Sequence, residues 1–484
     1  MIILASFELH AEWSDDPAVN NPVALADGEL IQPRTAVADD GSFYVSWFEN
    51  TGDGYDVRLQ RLDADGNRLW DEAGLLVADR GFSSTEDYGL DIDAEGHAVL
   101  VFRDDRFGSV DITVSRVSPI GERVWGENGV QLTDGTAAVA SPRITATSAE
   151  ASAGFIVAGW YQDGNAALAA LDADGNIHYE TQISADTGVA VASLHASDAP
   201  QESGQVIVLM VTLDGFSVPR HLFAQKLDGA GQALWGSEPL AVFDDGSMQF
   251  GYFPDFVPDG SGGMVAAWYR STPDLQVLVQ HVESDGTSRF ADGGLAVADT
   301  PGQSRTSPTV AHDGSDYYLF WRETDAATQG DIGLYGQRLD SAGERQWGDG
   351  GIAFRALAAN REIASIQVRM HPQGAGPVAS WIEADDTLKA LHADTSGNRV
   401  WTPDPVVSEP GAGLARAGLV GDGLGEGFYL AWQDGRNGDS DIYAQRLDAD
   451  GELGGGDPPD ALFSDRFELL KPQAFLFRPA STIR

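Results

Sequence analysis

Five carboxylates stand at one repeated position of this sequence: Glu49, Asp104, Glu323, Glu383 and Asp434. Each follows by two residues an aromatic that closes a short apolar run: Trp47, Phe102, Trp321, Trp381 and Trp432. In three further copies the same position holds Gln162, Thr212 and Arg270. If repetition brings these loops to one face, the carboxylates form an acidic mouth. Such a mouth attracts a cation, a Lys/Arg-rich partner or a sugar. Two of the acids in unlike environments would also serve as the acid and base of a glycosidase or lyase. The plainer expectation is that each acid accepts hydrogen bonds from its own loop, as Asp does in turns.

Other chemistry is not announced. The sequence has no G-x-S-x-G nucleophile elbow, no phosphate-binding GK[ST] loop and no H-E-x-x-H zinc helix. Its nine His are scattered singly and it contains no Cys, which excludes thiolate catalysis and disulfides. GDGLGEG (421–427) precedes the apolar run FYLAW rather than a helix, so it reads as a turn and not a dinucleotide cradle. LDADGN begins like a calcium loop but lacks the later acidic ligands. No cofactor is expected, with calcium the one metal that the acidic loops would take. The S-x-D-x-G-x-x-W box of sialidase-like propellers is missing, and no set of three arginines stands out.

The elements that position these residues are legible as a repeat. Turn glycines recur at Gly66, Gly121, Gly175, Gly231, Gly286, Gly343, Gly397 and Gly451, at intervals of 54–57 residues. Four residues after each stands an aromatic (Trp70, Trp125, Tyr179, Trp235, Phe290, Trp347, Trp401), except after Gly451, where Gly455 takes its place. A second phased series runs Trp47, Phe102, Trp160, Met210, Trp268, Trp321, Trp381 and Trp432. Each copy contains four strand-length apolar runs broken by Asp-Gly turns, and no helical spacing is sustained. The second run (FYVSW, YYLFW) is continuously apolar, as in a strand covered on both faces. The third (DIYAQRL) alternates, as in a strand nearer the outside. Eight such units predict an all-β fold, an eight-bladed β-propeller of four-stranded blades. The phased aromatics then fill the wedges between blades.

The last copy runs into GELGGGDPPD, too rich in Gly and Pro for an outer strand. Trp13 lies 57 residues before Trp70, about one repeat. The reading is that residues 1–28 complete blade eight, residues 29–455 form the propeller, and residues 456–484 are a linker and tail.

WQDGRNGDSDIYAQRLDADG (432–451) resembles the repeats of TolB-like bacterial propellers at Arg436, Gly438, Asp441, Ile442, Tyr443, Asp448, Asp450 and Gly451. LFSDRFE is similar to C-terminal tails of secreted proteins from Lysobacter-like bacteria, at Leu462, Phe463, Asp465, Phe467 and Glu468. The resemblance implies a periplasmic or secreted propeller that binds other proteins.

The formal charge of −44 repels nucleic acid and anionic membranes, and no run approaches the ~20 apolar residues of a spanning helix. MIILAS is too short for a secretory leader, so an exported chain would need a leader not visible here. The expectation is a monomeric, non-catalytic scaffold at the cell surface, in the periplasm or outside the cell. It would bind a protein or glycan, favouring a cationic one, through its acidic mouth or rim. A carbohydrate-active enzyme using mouth carboxylates is the alternative.

Overall fold

The computed structural model describes residues 13–454 except 27, 83–87, 148–153, 186, 200–202, 214–217, 384–386 and 410–412. The tail and the first twelve residues therefore lie outside the described residues. Among those described there is no helix, and the strands form eight antiparallel sheets. Blade one shows the plan: Leu30–Val37 innermost, then Phe43–Asn50, Tyr55–Leu62 and, outermost, Leu75–Ala78. Successive strands pair as antiparallel neighbours, so blades one to seven are local meanders. The chain is an eight-bladed β-propeller, as the repeat predicts.

Its core lies between blades. Eight apolar clusters are each built from two successive sheets; one joins Leu209 and Phe243 to Met264 and Trp268, another Val99 and Ile112 to Ala158 and Trp160. The alternation expected of the third strand is not what burial shows. Asp111–Val117 is buried throughout, and Asp441–Asp448 is buried at all but its last residue. The polar members are enclosed because they bond to the outer turn. Gln60 donates to the Asp71 carbonyl and accepts from the Trp70 amide; Gln337 likewise accepts from the Trp347 amide.

The two phased series meet across the wedge. A methyl group added at each turn glycine would press on the aromatic of the preceding blade: Gly121 on Trp70, Gly231 on Tyr179, Gly451 on Trp401. All eight turn glycines have φ between 76° and 87°, so only Gly both fits the turn and lets the ring approach. Indole N–H groups of Trp125, Trp235, Trp347 and Trp401 donate to the carbonyl two residues before the next blade's glycine. The Asp that opens six of the eight turns is spent locally, as where Asp63 accepts from the amides of Asp65 and Asn67. That engagement, rather than a calcium loop, accounts for the D-x-D-G pattern.

Trp13 supplies the eighth contact. Its ring faces Gly66, its indole N–H donates to Ala64 at 2.8 Å, and it packs 5.4 Å from Tyr429. Asn21–Ala24 pairs with Asp441–Asp448 as the outermost strand of blade eight. Gln445 donates to the Ser14 carbonyl, just as Gln60 does to Asp71 in blade one. The first and last described strands thus share one sheet.

Candidate functional site

The repeated carboxylates come to equivalent places at the ends of the second strands, but none is a free anion. Asp434 is fully buried; Arg436 donates to it at 2.6 and 2.9 Å, and the Trp432 indole at 3.0 Å. Asp104 repeats this with Arg106 at 2.7 and 2.9 Å. Glu323 takes the Trp321 indole N–H at 2.5 Å and lies 3.1 Å from the buried Arg305, while burial raises its pKa. Glu383 lies between Arg355 at 2.5 Å and Lys389 at 2.6 Å; burial opposes its charge, but both cations lower its pKa. Glu49 pairs with Arg58 at 2.5 Å.

Each of the five carboxylates expected to form the acidic mouth is thus paired with a cation of this chain. Positions i and i+2 share a face of a strand, so Glu323 and Asp434 cap their own blades' indoles, and all five acids capture a nearby cation. Gln162 does the same for Trp160 without any charge. Arg106 and Arg436, two residues beyond their acids, were the sequence signal for this role. One other group has metal-ligand chemistry among the described residues, Asp259, His281 and Glu283, with ligand atoms within 4.8 Å. Its ligand atoms are already engaged: His281 bonds Asp259 at 2.9 Å and the Tyr317 hydroxyl at 2.6 Å, and Arg289 holds Glu283 at 2.6 Å.

A different place gathers positive charge. The inner strands ring a central channel, where a cavity of about 610 Å³ is lined from seven of the eight blades. Its lining holds Arg34, Arg143, Arg369, Arg416 and His195, against one acid, Asp255. Local backbone geometry puts them there. In blades one, three, six, seven and eight the inner strand carries a bulge, with Gln32, Ser141, Ser307, Ser365 or Arg416 at φ of 49–58°. Such bulges re-aim side chains, and left-handed non-glycine residues are costly enough to mark sites under constraint. Arg34 and Arg143 occupy the same register just past their bulges. In blade five the inner strand is broken into Ser247–Met248 and Phe256–Pro258, and the intervening loop brings Phe253 and Asp255 to the channel.

His195 Nε2 and Asp255 Oδ1 are 2.8 Å apart. Burial works against the imidazolium, but the Asp255 carboxylate, and Asp91 beyond it, raise the His195 pKa above 6.5. Burial likewise opposes the Asp255 charge, yet His195 holds its pKa at about 2. The histidine's stabilisation is full below about pH 6.5 and is lost as pH rises through the raised folded value. The aspartate's is full above about pH 4 and is lost as pH falls toward its folded value. Both side chains reach water, so the pair contributes no more than about 1 kcal/mol. His195→Gln is expected to flatten the decline of melting temperature as pH rises above about 6.5. An unchanged slope in that window would remove the ion pair from the account.

No family model matches the chain, and no curated protein matches it. Solved structures similar to it include a protein of unknown function from Dyadobacter fermentans, at 10% identity over 88% of this chain and 97% of that one, TM-score 0.40. A puromycin hydrolase mutant matches at 15% identity over 87% of this chain and 62% of that one, TM-score 0.43. The α-L-arabinanase of Penicillium chrysogenum complexed with arabinobiose matches at 12% over 76% and 94%, TM-score 0.33. None of these likenesses assigns an activity to this chain.

Proposed function

We propose that this chain is a non-catalytic binding scaffold, exported or displayed at the cell surface, that engages a protein or glycan along the propeller axis. The observation that carries this reading is the channel: one concavity to which seven blades contribute side chains. A propeller tolerates variation there because its stability resides in the wedges between blades. The likeness of blade eight to TolB-like repeats supports an exported, protein-binding role. Binding moves from the mouth carboxylates, which are committed to ion pairs, to the axis.

One observation favours the carbohydrate-active alternative. Asp91 and Asp255 both act on His195, yet burial raises the pKa of Asp91 while His195 lowers that of Asp255. Two carboxyls pushed apart in this way suit an acid and a base. Asp91, however, accepts from the Ala146 amide at 2.9 Å and the Thr145 hydroxyl at 3.2 Å, which gives it a structural task in the wall. A glycan array run beside a polysaccharide turnover screen separates the readings. Saturable binding without turnover is expected. Turnover that disappears in Asp91→Asn or Asp255→Asn would replace the scaffold by an enzyme.

A further inference from the structure

We propose that the channel is a site for a small oxyanion-bearing ligand, a carboxylate or phosphate group, held by the guanidinium groups of Arg34, Arg143, Arg369 and Arg416. This rests on the axial-binding reading above and specifies its ligand.

The argument starts from composition. The chain has 74 acidic and 30 basic Lys/Arg side chains, yet the channel lining holds four arginines and one acid. Many arginines elsewhere are neutralised by a carboxylate of their own or the next blade, as Arg58, Arg106, Arg116, Arg338, Arg355 and Arg436 are at 2.5–2.7 Å. Among the described residues, Arg34, Arg369 and Arg416 have no carboxylate within ion-pair distance. Arg369 donates to the Val368 carbonyl at 2.8 Å, and Arg34 lies 5.6 Å from the centre of the Tyr88 ring. Arg143 donates to the carbonyls of Ala192 and Pro142, both at 2.9 Å.

Against this excess of acid, a concavity with four arginines and one acid concentrates positive charge on the axis. Arg143 and Arg369 are half-buried and Arg34 and Arg416 open to the channel, so four like charges face one shared space and repel one another. Burial also lowers the pKa of Arg369, and only Asp255 opposes that. A bound oxyanion removes both penalties at once. Guanidinium suits this task, since its planar fork donates two parallel hydrogen bonds to a carboxylate or phosphate. The cavity volume admits a small molecule or one chain end rather than a folded domain. Around the arginines, Gln32, Gln367 and Ser365 supply polar contacts, and Phe253 an apolar face.

The test is calorimetric titration of the full chain with three probes: trigalacturonate, inorganic phosphate and, as a neutral control, maltotriose. At least one anionic probe is expected to bind, more weakly as salt rises, and more tightly than maltotriose. Which anion binds identifies the oxyanion. Arg34→Gln/Arg369→Gln/Arg416→Gln is expected to weaken that binding by about tenfold per guanidinium removed. Its melting temperature is expected to stay level or rise, because mutual repulsion is relieved. A structural role for the arginines predicts the opposite, a lowered melting temperature with binding unchanged, and that result overturns the proposal. Equal binding of maltotriose and the anions overturns it too, while leaving axial binding intact. If no probe binds but a partner is captured whose binding survives the triple substitution, the anion site fails and the scaffold reading stands.

Discussion

Replacing Trp13 by alanine is expected to lower the unfolding free energy by about 3–5 kcal/mol, the cost of truncating a buried tryptophan. The residue is only 4% exposed and its indole bridges blade eight to blade one. Trp13 takes at this junction the place that the aromatic four residues past the turn glycine holds in the other blades, where the sequence has Gly455. Deleting residues 1–28 is expected to cost more still. It removes the strand Asn21–Ala24, the bonds from Arg436 to Ala18 and Asn20, and the bond from Asn20 to the Val407 carbonyl. It also leaves Asp441–Asp448 as an unpaired edge, open to association between molecules. Gly66→Ala probes the same contact from the other side. Its φ of 87° penalises any side chain, and the new methyl would stand 2.8 Å from the Trp13 ring. In the Trp13→Ala background the steric part of that penalty should vanish, so the two losses should add to less than their sum. Denaturant melts in which the truncated chain keeps the full-length midpoint would falsify closure through the N-terminal segment.

Neutralising the repeated carboxylates is expected to destabilise the protein without touching calcium binding. Asp434→Asn leaves Arg436 held in a shell built for its charge, and breaking a buried pair by removing one partner costs about 3–5 kcal/mol. Glu323→Gln should fall in the same range, since Arg305 is equally enclosed. Glu49→Gln should cost much less, because both members of that pair reach water. Combined, the five substitutions approach the ~5–15 kcal/mol that holds a typical domain folded. The single variants are therefore the informative ones. A thermal melt and a calcium titration on the same Asp434→Asn sample decide the matter. A lowered melting temperature with unaltered titration heats is the expected result. A retained melting temperature with lost calcium heats would restore the acidic mouth. Adding Arg436→Gln to Asp434→Asn should recover part of the loss, because the stranded charge is then removed.

The sequence by itself determined the architecture. Gly66 to Gly451 and the aromatics four residues beyond them report one local contact copied eight times, and a contact that repeats leaves its period in the chain. The single gap in that period, at Gly455, was enough to point to Trp13, since a closed ring cannot leave one wedge unfilled. What the sequence left undecided was the state of its charges. Asp104 and Asp434 carried a readable partner two residues on, but Arg305 and Arg355 reach Glu323 and Glu383 from strands 18 and 28 residues away. A position in the repeat says which loop an acid occupies and nothing about the cation folded against it. The channel was less legible still. Arg34, Arg143, Arg369 and Arg416 share no single repeat position, and bulges in the inner strands shift which residues turn inward. Net charge is a sum without direction, so −44 concealed a basic axis. Only the closing of eight blades into a ring brings those four arginines to one place.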